Sequence, residues 1–157
     1  MPSLKVHRTV GFVAGGAAAL VVARGQPLGY RLLETVGGML SGSLAAHLPD
    51  VLEPAVSSFH RGACHSFATG ASAVFVGAET VAQASLRPID FLRRRSVELF
   101  AESAVERDAP RALLLLLAAI GARMLAGAVA GGIAGYASHL VLDAATPRSL
   151  PLLFNGM

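Results

Sequence analysis

Cysteine is almost absent. The 157 residues contain one, Cys64, which excludes a disulfide framework and a zinc finger built on cysteines. Tryptophan is missing and aromatic residues make up 6%, so there is little to stack on bases. The pI of about 9.8 is high, but the basic excess is only +3, and nucleic acid is not expected as a partner. Charged residues amount to 15% against roughly 25% in an average soluble domain. That deficit argues against a disordered chain and against an ordinary cytosolic enzyme. Long hydrophobic runs are also scarce: a spanning helix wants about 20 apolar residues, and most charge-free runs here are shorter. Internal repeats, heptad arrays and low-complexity linkers are not evident. The opening Met-Pro-Ser-Leu-Lys-Val-His-Arg precedes an apolar run without a small-residue cleavage site, so a signal peptide is not expected.

What the chain does have is apolar residues, 54% of the total, with a mean hydropathy of +0.58. The length suits one domain of about 100–200 residues. Four apolar segments stand out: Thr9 to Ala23, Thr35 to Pro49, Ser66 to Ala78 (continuing past Glu79 toward Leu86), and Met124 to Leu142. Only the last, nineteen residues between Arg123 and Asp143, meets the usual length of a span. All four are rich in Gly, Ala and Ser, which let helix backbones approach closely in a bilayer. In water each such glycine would cost a helix up to about 1 kcal/mol, so the segments are expected to pack against one another.

Between the third and fourth segments, Pro88 to Arg111 carries Arg93-Arg94-Arg95, Glu98, Glu102, Glu106, Arg107 and Asp108. Its apolar residues recur at three-to-four spacing and predict an amphipathic surface helix. The triple arginine reads as an orientation and headgroup anchor. Pro110 opens a further helical run, Ala112 to Ala122, either a separate buried helix or the start of the last span. The expected fold is all-α: a small polytopic membrane helical bundle of about four spanning helices plus an amphipathic surface helix, forming a single domain.

If each segment crosses once, one side receives Lys5, Arg8, Arg61 and Arg148. The other receives Arg24, Arg31, Arg87, Arg93, Arg94, Arg95, Arg107, Arg111 and Arg123. The positive-inside rule puts the nine in the cytoplasm. All five histidines, His7, His47, His60, His65 and His139, fall on or near the low-charge side, as do Asp50, Glu53 and Asp143. Ionisable residues near or within a membrane are costly and usually functional. Histidines and carboxylates converging from different helices are what a metal site requires.

His60 and His65 are five apart and do not share a helical face; Ser66 is placed to cap the third segment. His139 and Asp143, four apart, share one face, so both reach one metal or Asp143 orients the imidazole. Taken singly, His139 with Asp143 is an ordinary helix pair, His7 a surface residue, Asp50 a turn residue and Cys64 a packing residue. His47, within the apolar second segment, reads as structural. Arg61 binds a phosphate or carboxylate, or meets lipid headgroups.

The blocks His60-Arg61-Gly62-x-x-His65-Ser66 and Gly135-Tyr136-x-Ser138-His139-Leu140-x-x-Asp143-x-x-Thr146-Pro147, followed by Pro151-Leu152-Leu153, resemble the YdjM-like family. His7 ahead of an apolar helix, and Leu48-Pro49-Asp50, match as well. Members are described as LexA-regulated, inner-membrane-associated, metal-dependent hydrolases. Where the family often reads Pro-Asp-x-Asp, this chain has Leu52 at the second acidic position and Glu53 after it, and Cys64 stands where threonine is common.

The expectation is a multi-pass protein of the inner membrane with a metal site on its periplasmic or outer side. Candidate ligands are His7, Asp50, His60, His65, His139 and Asp143. Nitrogen and oxygen donors without thiolate suit zinc first, then manganese or iron. Six candidates exceed one tetrahedral ion, so two metals bind or some residues only support the ligands. A metal-bound water is the expected nucleophile, Glu53 or Asp50 the general base, and Arg61 the holder of an anionic group. A phosphoester or lipid-like substrate fits a site at the membrane surface. The rivals are a non-catalytic membrane protein with a structural metal or His/Asp network, and a small transporter-like component. Membrane lipid is the expected partner; the glycine-rich run Gly127 to Gly135 suits a homo-oligomer and equally packing within one chain.

Overall fold

The computed structural model describes residues 3–52 and 78–144. Every element among them is helical: α1 (Leu4–Val22), α2 (Leu28–Ala45), the short α3 (Leu48–Leu52), α4 (Ala78–Val105) and α5 (Ala109–Ala144). The third apolar segment, Ser66 to Ala78, lies outside the described residues apart from its last residue.

Of the two readings of Ala112 to Ala122, the structure takes the second: it belongs to the same helix as the fourth segment, because α5 runs unbroken through it. Leu113, Leu114 and Leu117 in that run are exposed. With 36 residues, α5 is about 54 Å long at 1.5 Å per residue. Pro88 does not open the amphipathic helix; α4 begins at Ala78 and passes through it. Punctuation by proline was overridden because the flanking apolar residues continue the packing: Ile89, immediately after it, is buried. The start of α5 is set more conventionally. Asp108 Oδ2 accepts the Arg111 backbone N–H at 3.3 Å, three residues into the new helix, as an N-cap does.

α5 is long and apolar enough to cross a membrane. It is the common partner of the bundle, packing on α1, α2 and α4, while α1 also packs on α2. α1 and α2 are joined by a tight turn in which Gly25 takes φ +90, a conformation costly for residues with a Cβ. Pro27 then fixes the entry to α2.

What holds α1, α2 and α5 together is a seam of glycines. Gly11 and Gly15 of α1, Gly38 and Gly42 of α2, and Gly131 and Gly135 of α5 each recur four apart. A Cβ placed on Gly131 would fall on the Gly38 backbone, one on Gly135 on Gly42, and one on Gly15 on the Gly38 carbonyl. The middle helix therefore shows the same two glycines to both neighbours. Backbones this close gain dispersion and Cα–H···O contacts that side chains would prevent.

The large apolar residues face the other way. Buried hydrophobic positions are mostly alanine, such as Ala19, Ala23, Ala46, Ala119 and Ala126. Leu28, Leu32, Leu40 and Leu44 of α2, Val13 and Val21 of α1, and Leu125 and Val141 of α5 are exposed. Leu44 and Val141 reach 66% and 69%. Thr9, Thr35, Ser41 and Ser138 each donate to a carbonyl three or four residues back, while the Ser96 hydroxyl of α4 donates across to the Ala119 carbonyl of α5.

Candidate metal centre

α1 runs antiparallel to both α2 and the second half of α5, so three helix ends meet. Those ends are the first turn of α1, the turn from α2 into α3, and the last turns of α5. They bring together His7, Asp50, His139 and Asp143. His7, His139 and Asp143 are buried and together form a group that could hold a metal ion, each offering one donor atom within 4.8 Å of the others.

The internal geometry supports that reading. The Nδ1 nitrogen of His139 lies 2.7 Å from the Ala46 carbonyl. A nitrogen that close to a carbonyl oxygen carries the proton and donates it, so in the neutral ring the Nε2 lone pair is left toward the cluster. Metal-bound histidines are held in this way almost as a rule. The helix break after Ala45 matters here, because it turns the Ala46 carbonyl toward the imidazole. His139 Nε2 stands 3.5 Å from Asp143 Oδ2 and 3.7 Å from Asp50 Oδ1. His7 Nε2 stands 3.4 Å from Asp143 Oδ1. Good N–H···O bonds are about 2.7–3.2 Å, and these separations are longer. Donors around one tetrahedral ion at about 2.0–2.2 Å stand about 3.3–3.6 Å apart, which matches the two separations to Asp143, while the one to Asp50 is longer. The Asp143 carboxylate offers a different oxygen to each imidazole, and the two rings lie 4.2 Å apart at 30°.

Asp50 differs from the other three. Its side chain is 30% exposed, so it forms the wet edge of a dry cluster. His47 is half-buried and stays out of the group. Glu53, His60, Arg61 and His65 lie outside the described residues.

At the opposite end of the seam is a second buried polar cluster, which the sequence did not announce. Glu34 of α2 and Arg123 of α5 are both buried. Arg93 of α4 reaches them with a two-pronged grip, Nε to Glu34 Oε1 at 3.0 Å and Nη2 to Oε2 at 2.6 Å. The same Nη2 donates to the Val22 carbonyl at the end of α1, 3.0 Å away. Arg123 Nε lies 3.2 Å from Glu34 Oε1, Nη2 donates to Gln26 Oε1 at 2.7 Å, and the guanidinium sits 4.0 Å over the Tyr30 ring. Tyr30 in turn stacks on Phe100 of α4. Of the triple arginine, only Arg93 turns inward; Arg94 is exposed and Arg95 pairs at the surface with Glu98 and Glu102. A single charge in the middle of an apolar run, Gly121-Ala122-Arg123-Met124-Leu125, was the available signal, and it reads more simply as the boundary of a span.

No protein-family model, curated protein or solved structure matches this chain.

Proposed function

We propose that the chain is a multi-pass membrane protein whose His7, His139 and Asp143 hold a divalent metal for hydrolysis of a phosphoester or lipid-like substrate. The observation that carries the proposal is the buried pair of imidazoles spanned by one carboxylate, with His139 Nδ1 fixed by a backbone carbonyl. The motif resemblance to YdjM-like metal-dependent hydrolases points the same way. The membrane part rests on the inverted packing, glycine and alanine inside and leucine and valine outside. Soluble monomers rarely expose such apolar surface, and α5 has the length and composition of a span. The inner membrane is what the YdjM-like resemblance implies, and the arginine count favours the histidine end facing outward.

Each described residue has a task in this reading. His139 presents Nε2 and is kept in that tautomer by Ala46. Asp143 orders both imidazoles through its two oxygens. A divalent ion held there supplies a water whose pKa is brought toward neutrality. Asp50, at the exposed edge, takes up the proton released on the substrate side. Zinc suits this donor set first, with manganese or iron next.

Elemental analysis of the purified full chain, paired with hydrolysis of a panel of phosphoesters and phospholipids, tests the reading. Bound transition metal is expected in the wild type and its loss in Asp143→Ala. Asp50→Asn is expected to keep the metal while activity falls about 100-fold or more. A metal-free wild type sinks the proposal. Metal without hydrolysis of any substrate leaves a structural role for the ion and overturns the enzyme.

A further inference from the structure

At the end of the bundle opposite the histidines, the two guanidiniums of Arg93 and Arg123 face one carboxylate, Glu34. The cluster therefore carries one positive charge in excess. Arg93 also lies 4.0 Å from Asp90, but that carboxylate is more than half exposed and well screened. An uncompensated charge beside a buried guanidinium is costly. Arg123 is 1% exposed, and its Nη1 is buried with no hydrogen-bond partner. Nε of Arg31, one turn before Glu34 on α2, is likewise buried without one. Guanidinium N–H groups seldom go unmet in a protein interior.

The surroundings are also positive. α2 begins beside the cluster: Gln26 and Tyr30, which hold Arg123, flank its first residue, Leu28. That end has no side-chain cap and no acidic residue in its first turn, so its N–H groups and the helix dipole favour an anion. Arg93, with 15% of its side chain exposed, is the part of the cluster that solvent reaches.

We propose that the Arg93–Glu34–Arg123 cluster at the start of α2 is a binding site for a phosphate group, either of a lipid headgroup or of a free phosphoester. The phosphate takes the donors that Glu34 leaves over and cancels the excess charge. Planar forked guanidiniums suit phosphate oxygens better than an ammonium does. This site stands apart from the metal reading and does not depend on it.

The test uses the full chain in detergent with a chelator present, so that no metal at the other end holds phosphate. Inorganic phosphate is titrated against chloride at matched ionic strength, and phosphatidylglycerol is added in a parallel arm. Thermal unfolding by circular dichroism and ³¹P resonance report binding. The wild type is expected to bind and melt higher with phosphate. Arg123→Lys, which keeps the charge and loses the fork, should weaken binding about tenfold. Glu34→Gln, which raises the excess charge from one to two, should tighten it about threefold or more. A response to the lipid alone identifies a headgroup site, and a response to inorganic phosphate alone a soluble phosphoester; either supports the proposal. No response to either probe, or binding unchanged in both variants, overturns it. Should one variant fail to fold, the other decides the matter, because they shift affinity in opposite directions.

Discussion

The two ends of the glycine seam are built on opposite plans. At the histidine end, a backbone carbonyl fixes one imidazole, and donor atoms stand 3.4–3.7 Å apart, too far to satisfy one another well. At the arginine end, a guanidinium closes on a carboxylate at 2.6 and 3.0 Å and ties α4 to the ends of α1 and α2. The first sets its donors at the spacing that ligands of one ion adopt. The second closes most of its own bonds and locks four helices. Burial alone does not distinguish them, since each is buried but for one member, Asp50 or Arg93; the spacing of the polar atoms does.

The comparison breaks most completely if the seam fails. Gly131→Leu forces a side chain into the Gly38 backbone, where nothing flexible can yield. A loss of about 3 kcal/mol or more is expected, with metal binding at one end and thermal stability at the other falling together. Monodisperse yield and unfolding by circular dichroism measure it. If only one end suffers, the seam does not couple them.

Next in size is the arginine end by itself. Glu34→Ala leaves two guanidiniums facing each other in a buried site and should cost about 3–5 kcal/mol. The loss should be the same with and without chelator, because the metal residues are untouched. A metal-dependent loss would mean that the two ends are not separate devices.

The histidine end should behave in the reverse way. His139→Ala should lower metal affinity more than about 100-fold and erase any melting difference between metal-loaded and chelated protein. In chelator its stability should differ from wild type far less than that of Glu34→Ala. A large loss in chelator would instead make the His/Asp cluster a packing element.

The smallest effect lies outside both ends, in the α4–α5 turn. Glu106 accepts the backbone N–H groups of Asp108 and Arg107 and faces Arg111. Chiefly the Asp108 N–H holds its carboxyl below the ordinary value of 4.5. A depressed carboxyl stabilises the folded turn above its unfolded pKa, and that contribution disappears as pH falls through the lower folded value. Protection factors of the turn amides, with the intrinsic pH dependence of exchange divided out, should fall on acidification below pH 4.5 in the wild type and hardly change in Glu106→Gln.

Much of this was legible in the residues. Helices were visible because apolar stretches are bounded by charges. Close packing of the segments was visible because they are rich in glycine, alanine and serine; which helices meet, and at which glycines, was not. His7, Asp50, His139 and Asp143 were grouped by asking which segment ends share a side, and the fold brings these four together. The arginine cluster was hidden because Glu34 and Arg123 sit at the edges of apolar segments and Arg93 on an amphipathic surface helix, where a charge usually means water. Only the three-dimensional meeting of α2, α4 and α5 turns those edges inward. The continuity of α5 stayed open between two readings, since Arg123 looks like a border until Glu34 and Gln26 are seen to engage it.

The His/Asp cluster takes one residue from α1 and two from α5, His139 lying 132 positions after His7. At about 5–20 residues per second of synthesis, His7 waits roughly 7–26 s for its partners to be made. Only with α5 in place do His139 and Asp143 join His7, so closure of the His/Asp cluster reports that α5 has arrived.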